Sequence, residues 1–228
     1  LLSGSGGREE GDRGPRIRLL PDAPSGRFGT ALDREQAAFL FKQRRLAVPG
    51  RVFDLIVAKL DGDAFSDIAI IDAVDHKIRI LFGDRTMEFK RRLEKPFQDV
   101  NDPFAAAMDL TGDGNLDLAV ENASKNVHFS IFPGNGSGGL KKAIPVGAAG
   151  SSLYEFSYAS PINLDGDGLP DLIGLGFFGE VVLCRNLGKG RFNVEESDPD
   201  TGNDGLAVGD FTGDGFDDFL LAEVTEDK

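Results

Sequence analysis

A nine-residue pattern that occurs four times constrains this chain more than any other feature. Its fullest copy is Asp109-Leu-Thr111-Gly-Asp113-Gly114-Asn115-Leu-Asp117, followed by Leu118-Ala119-Val120. Asn163-Leu-Asp165-Gly-Asp167-Gly168-Leu169-Pro-Asp171 and Asp210-Phe-Thr212-Gly-Asp214-Gly215-Phe216-Asp217-Asp218 repeat it. Lys59-Leu-Asp61-Gly-Asp63-Ala64-Phe65-Ser-Asp67 is a degraded copy, first in chain order. The first positions fall at 59, 109, 163 and 210, so the spacings are 50, 54 and 47 residues. A period near 50 implies one supersecondary unit used repeatedly, each unit burying its apolar face against the next.

The chemistry of the pattern suits a hard cation. Carboxylates at positions 1, 5 and 9 and a hydroxyl at position 3 are oxygen donors, and calcium takes about 6–8 of these at roughly 2.3–2.6 Å. The glycines let so short a loop close, because glycine reaches positive φ at little steric cost. In the fullest copy Asn115 adds a backbone carbonyl. An EF-hand also reads D-x-D-x-D-G, but it requires a glutamate at position 12 and flanking helices. Position 12 here is Ile70, Val120, Gly174 and Leu221, and the flanks are short apolar runs. A dockerin-like loop fails on the same grounds.

Over roughly residues 50–222 the four loops resemble the calcium loops of the FG-GAP/VCBS repeat family, the repeat that also builds the integrin α-subunit propeller. The resemblance implies a β-propeller of four-stranded blades, with each metal loop between a blade's first and second strands. Carried over position by position, it implies three calcium sites. Loop two would use Asp109, Thr111, Asp113 and Asp117 with the Asn115 carbonyl. Loop three would use Asn163, Asp165, Asp167 and Asp171 with the Leu169 carbonyl. Loop four would use Asp210, Thr212, Asp214 and Asp218 with the Phe216 carbonyl. Loop one, with Asp61, Asp63, Phe65 and Asp67, departs twice: Lys59 replaces the first carboxylate and Ala64 replaces a glycine. It is expected to bind metal weakly or not at all, with the Lys59 ammonium lying among its aspartates. Loop three, neutral at position 1, is expected to bind less tightly than loops two and four. The ion's expected role is structural, because clustered carboxylates repel one another unless a cation intervenes.

Composition agrees. The net charge is −13, and thirteen aspartates lie in the loops, at 61, 63, 67, 109, 113, 117, 165, 167, 171, 210, 214, 217 and 218. Such a balance disfavours nucleic acid, which needs clustered Lys and Arg. Hydrophobic content of 40% is that of a globular chain. No apolar run is long enough for a membrane-spanning helix. The single Cys184 makes no internal disulfide. Together with the calcium loops, this leads us to expect an exported, secreted, periplasmic or cell-surface bacterial protein.

In chain order, residues 1–15 read as a disordered linker and 16–228 as propeller, with repeats at about 16–49 (partial), 50–99, 100–153, 154–203 and 204–228 (partial). Strands are expected at Arg16–Leu20, Arg27–Leu32 and Ala38–Leu46, a helix over Arg34–Arg45 being the alternative to the last. Units from residue 50 onward follow one plan. A small-residue first strand such as Ala105–Ala107 precedes the loop. An apolar second strand and an alternating third strand follow it. A basic fourth strand, such as Glu88–Leu93 or Leu140–Ile144, closes the unit. Small side chains fit where inner strands crowd an axis, and charge on an outer strand blocks edge-to-edge association. His128 is expected half-exposed on its strand, and Cys184 buried and inert.

No nucleophile motif, phosphate cradle or cluster of histidines appears. The expected function is therefore non-enzymatic: an extracellular binding or adhesion module with a protein or carbohydrate ligand on a propeller face, at turns such as 94–103 and 145–157. The alternatives are an accessory or catalytic propeller of a secreted polysaccharide-acting enzyme, or a lectin.

Overall fold

The structure is a computed structural model that describes residues 16–19, 44–48, 50–97, 104–124, 126–147, 156–176, 179–196 and 203–223. The sequence expectations for 1–15, Arg27–Leu32 and 34–43 lie outside those residues. The chain divides into two compact units, Leu1–Arg51 and Val52–Lys228.

In the first unit β1 (Arg16–Leu19) pairs antiparallel with β2 (Arg44–Ala47), Ile17 opposite Leu46.

The second unit is all β-sheet among its described residues. β3 (Val52–Ala58), β4 (Asp67–Asp72), β5 (Lys77–Leu81) and β6 (Arg92–Pro96) form the first four-stranded antiparallel sheet. β7 (Ala105–Met108), β8 (Asp117–Ser124), β9 (Val127–Phe132) and β10 (Ile144–Val146) form the second. β11 (Phe156–Ile162), β12 (Asp171–Gly176), β13 (Val181–Asn186) and β14 (Phe192–Glu196) form the third. β15 (Asn203–Gly209) and β16 (Asp218–Glu223) make a two-stranded fourth. Each sheet is a meander in chain order, and the first strands β3, β7, β11 and β15 neighbour one another in turn. These are blades of a β-propeller, and among the described residues of this unit they do not close into a ring.

Two-residue alternation explains the stacking. A strand presents successive side chains to opposite faces, so a second strand covered on both faces is apolar throughout. On β8, Leu118 and Val120 pack with Leu60, Ala69, Ile71, Ile78 and Ile80 of the first blade. Ala119, between them, packs with Leu172, Val182 and Cys184 of the third. On β12, Ile173 and Leu175 turn the other way, toward Leu206, Val208 and Phe219. Burying a side chain of this size contributes about 1.5–3 kcal/mol. The Cys184 thiol, on this inner surface, is pushed up to about 12 by burial, and the charges of Glu196 and Asp171 act in the same direction.

Three details differ from the sequence reading. The fourth strands begin later than expected, at Arg92 and Ile144. Before Arg92 the chain turns through positive φ at Met87 and Phe89, which breaks the alternation that 88–93 suggested. Second, His128 is buried, because its Nε2 meets Glu196 Oε1 of the neighbouring blade at 2.8 Å. Third, β5 carries a buried Arg79, which donates from Nε and Nη2 to Asp72 Oδ2 at 3.1 and 3.0 Å and also pairs with Asp75 and Glu94.

Candidate functional site

All four loops join the first strand of a blade to its second, at residues 59–66, 109–116, 163–170 and 210–217. Within them the four nine-residue patterns divide into three layers of contact.

The position-9 aspartates are clamps. Asp67, Asp117 and Asp171 are fully buried. Asp67 accepts from Leu60 N and Gly83 N, both at 2.8 Å. Asp117 accepts from Thr111 N and Gly134 N, again both at 2.8 Å. Asp171 accepts from Leu164 N at 3.0 Å and Asn186 N at 2.6 Å. Each carboxylate thus ties the start of its own loop to the residue just after, or at the end of, the blade's third strand. Glycine fits this place in the first two blades, since a Cβ on Gly134 would lie 2.1 Å from the Leu116 carbonyl oxygen. Asn186 holds it in the third, and its Nδ2 also donates to the carbonyls of Leu110 and Pro170, at 2.8 and 3.0 Å. In the two-stranded fourth blade, Asp218 Oδ2 accepts from Phe211 N and Thr212 N. Burial raises the pKa of Asp117 and Asp171 despite these bonds.

The position-5 aspartates shape the turn. Asp63, Asp113, Asp167 and Asp214 each accept from the backbone N–H two residues on, at 2.7, 3.0, 2.8 and 2.9 Å.

Position 1 separates the loops. Asp109 accepts from Gly112, Asp113 and Gly114 N–H groups, at 2.8, 3.0 and 2.7 Å. Asp210 does the same with Gly213, Asp214 and Gly215. Asn163 Oδ1 accepts from Gly166 alone of its own loop. Loop one has Lys59 there and no such cradle. Gly114 reaches φ 82° at position 6, where loop one has Ala64 outside the positive-φ region.

Protein cations stand beside three loops. Arg91 Nη1 donates to Asp61 Oδ2 at 2.7 Å, so loop one's counter-ion is Arg91 and not Lys59, which is exposed. The Arg91 guanidinium also lies 3.9 Å over the Phe82 ring and donates to the Ser137 carbonyl of the next blade. Lys141 Nζ donates to Asp113 Oδ2 at 3.0 Å, which holds that carboxyl below its usual range. Arg185 Nε stands 3.8 Å from Asp165. These three were missed in the sequence, although two left a signal: Arg91 lies 91 − 59 = 32 residues past its loop's first position, and Lys141 lies 141 − 109 = 32 past its own.

The residues present fit a hard cation by the chemistry of their donors. A carboxylate oxygen that accepts one hydrogen bond keeps a further lone pair. Thr111 Oγ1 is buried with no hydrogen-bond partner of acceptable geometry, though it lies close enough to Asp117 to favour that group's charged form. Among the described residues no three His, Cys, Asp or Glu side chains converge to hold an ion. A cation in loop two would compete with the Lys141 ammonium for Asp113 Oδ2.

Neighbouring loops touch. A Cβ on Gly112 would lie 3.1 Å from Leu169 Cδ2, and one on Gly166 would lie 2.4 Å from Phe216 Cε1. So in loops three and four the position-7 side chain covers the position-4 glycine of the loop before it, whereas Gly62 of loop one faces the Gly136 carbonyl. Of the predicted carbonyl donors, Leu169 and Phe216 thus have side chains that link loops two, three and four, while the Asn115 side chain donates to Asp113 of its own loop.

Comparison with known proteins bears on the fold and on the repeat. No curated protein matches the chain significantly. A crystal structure of BBS1N in complex with ARL6DN, soaked with lead, matches 77% of this chain and 52% of its own, at 13% identity and a TM-score of 0.51. An Agrocybe aegerita lectin, described as recognising non-reducing terminal N-acetylglucosamine, matches 75% of this chain and 43% of its own, at 20% identity and a TM-score of 0.44. The chain thus spans about half the length of the chains it matches. A family model described as an FG-GAP-like repeat matches residues 163–221, from the first residue of loop three into β16. Residues 163–221 are an FG-GAP-like repeat, set in a segment of β-propeller.

Proposed function

We propose that this segment is a non-catalytic, calcium-stabilised binding module of an exported protein, holding a protein or glycan ligand on a propeller face. The observation that supports calcium most is the contrast at position 1. Loops two and four gather three backbone N–H groups around one carboxylate, while loop one, with lysine in that place, gathers none. Millimolar extracellular calcium fills loops of modest affinity, which is why an exported setting accompanies the reading. The calcium would be held by loops two, three and four and would offset repulsion among their carboxylates. In this reading the ligand lies on the face away from the loops. Of the turns 94–103 and 145–157 expected there, residues 98–103 and 148–155 lie outside the described residues.

The test is a thermal melt with excess calcium and with chelator, beside a calorimetric count of bound ions. A higher midpoint in calcium with about three ions bound is the expected result. An unchanged midpoint and no bound ion would sink the calcium reading. Loss of partner or glycan capture when residues of both turns are replaced would support the binding face, and undiminished capture would overturn it.

A further inference from the structure

Loops three and four are joined by direct hydrogen bonds. Asp217 N donates to the Asn163 carbonyl at 2.9 Å, and Asn163 N donates to Asp217 Oδ2 at 2.8 Å. Asn163 Nδ2 reaches the Gly215 carbonyl at 3.4 Å, and the Phe216 ring lies against Gly166. Beside loop three opens a cleft of about 420 Å³, lined by Asn163, Gly166, Gly168, Leu169, Pro170 and Asp217 among others. Asp217 therefore belongs to loop four by sequence and stands at the first residue of loop three in space.

Asp217 occupies position 8, where the other loops carry Ser66, Leu116 and Pro170. Only this copy places a charge there. The loop it faces is the one whose position 1 is a neutral asparagine. Loop three's additional carboxylate, Asp165, sits at position 3 with Arg185 Nε 3.8 Å away, so position 1 itself has no charge from within the loop. No described basic side chain forms an ion pair with Asp217.

We propose that Asp217 serves loop three. It supplies, from the neighbouring blade, the negative charge that Asn163 withholds, so loop three's affinity for a divalent cation depends on loop four. This rests on the calcium reading above. It adds a residue that the nine-position pattern does not assign, and it couples two sites that the pattern treats as independent. Ligand charge count is a main determinant of calcium affinity in such loops.

The experiment is a calcium titration of the ¹⁵N-labelled chain, in which each loop reports through its own glycine amides. Gly112 and Gly114 report loop two, Gly166 and Gly168 loop three, and Gly213 and Gly215 loop four. D217N keeps an acceptor for Asn163 N and removes the charge. It should weaken loop three by about tenfold and leave loop two unchanged. In an N163D background the same change should cost less than about twofold, because the charge is then supplied within the loop. Equal effects of D217N in the two backgrounds would overturn the proposal, as would an unchanged loop-three affinity. Should D217N fail to fold, D217S, which also removes the charge and keeps an oxygen acceptor for Asn163 N, is read in the same two backgrounds, and the same outcomes decide. If no glycine amide responds to calcium in the unsubstituted chain, the calcium reading itself falls, which is distinguishable from a wild type that binds calcium in loop three independently of Asp217.

Discussion

Loops one and two share a backbone plan and differ in what that plan holds. Both fasten the position-9 aspartate to two backbone N–H groups, one in the loop and one past the third strand. Both fold the position-5 aspartate over the N–H two residues on. They part at position 1, where Asp109 gathers three N–H groups and Lys59 gathers none. The difference teaches that a sequence motif of alternating aspartates combines two functions. Positions 5 and 9 build the hairpin in both loops, and position 1 is where their hydrogen bonding differs; in the proposed reading it decides whether the hairpin also holds an ion. A degraded loop can therefore keep its fold, with the half-exposed Arg91 as its counter-ion.

The strongest way to break that comparison is to remove the clamps. Asp117→Ala leaves Thr111 N and Gly134 N without their acceptor, and Asp67→Ala does the same to Leu60 N and Gly83 N. Orphaning two such donors should cost about 3 kcal/mol in either loop. If position 9 is structural, urea denaturation in chelator gives similar losses for the two variants. A large loss for Asp117→Ala with almost none for Asp67→Ala would mean that only the metal loops depend on the clamp.

Position 1 should behave oppositely. Asp109→Ala should remove one bound ion and the calcium-dependent stabilisation that goes with it, about 2.7 kcal/mol when calcium is 100 times the dissociation constant. Asp61→Ala in loop one should leave the ion count unchanged, losing its pairing with the half-exposed Arg91 and its acceptance from Asp63 N, together about 1–2 kcal/mol. Calorimetry on the two variants checks both statements. An ion lost with Asp61→Ala would show loop one to be an intact site.

A smaller effect tests the protein cations. Lys141 is about half exposed, so its pairing with Asp113 is worth no more than about 1 kcal/mol. Lys141→Met should therefore tighten loop two for calcium by roughly fivefold or less, because the ion no longer displaces an ammonium. The glycine amides of loop two would report it. Weaker binding would mean that Lys141 positions Asp113 for the ion.

Most of this architecture was legible because its signals are local. The loop spacing gave the repeat, the alternation gave the strands, and small residues at Ala105–Ala107 marked the inner position. What escaped the sequence depends on pairs far apart in the chain. Asn186 and Asp171 are 15 residues apart, and Asn163 and Asp217 are 54 apart. His128 reads as half-exposed on its own strand because nothing nearby announces Glu196, 68 residues on. The outer strands were placed too early because basic runs such as Lys90-Arg91 and Lys141-Lys142 resemble edge strands. They instead precede β6 and β10, and Arg91 and Lys141 reach the loops. In the candidate site the residue types were readable from position and chemistry. The division between clamp and cradle was not, since aspartate serves both.

The smallest effect concerns protons, and it separates the clamp from the turn by sign. Burial raises the Asp171 pKa above its ordinary value of 3.8, so the folded chain takes up that proton more readily than the unfolded chain. Stability from this group is then greatest at acid pH and declines as pH rises from the ordinary value through the raised one. Asp113, held low chiefly by Lys141, contributes oppositely: its stabilisation is present above the ordinary value and is lost as pH falls. Asp171→Asn abolishes the first dependence. In chelator the variant should be most destabilised relative to wild type at acid pH and least at neutral pH. Calcium should restore the wild-type advantage at neutral pH, because a cation beside the loop favours the charged carboxylate. Urea denaturation of both proteins from about pH 3 to 7, with and without calcium, measures the slope directly. A deficit that grows with pH in chelator would mean that Asp171 is stabilised as a carboxylate by its two N–H donors alone, and the clamp would then need no cation at all.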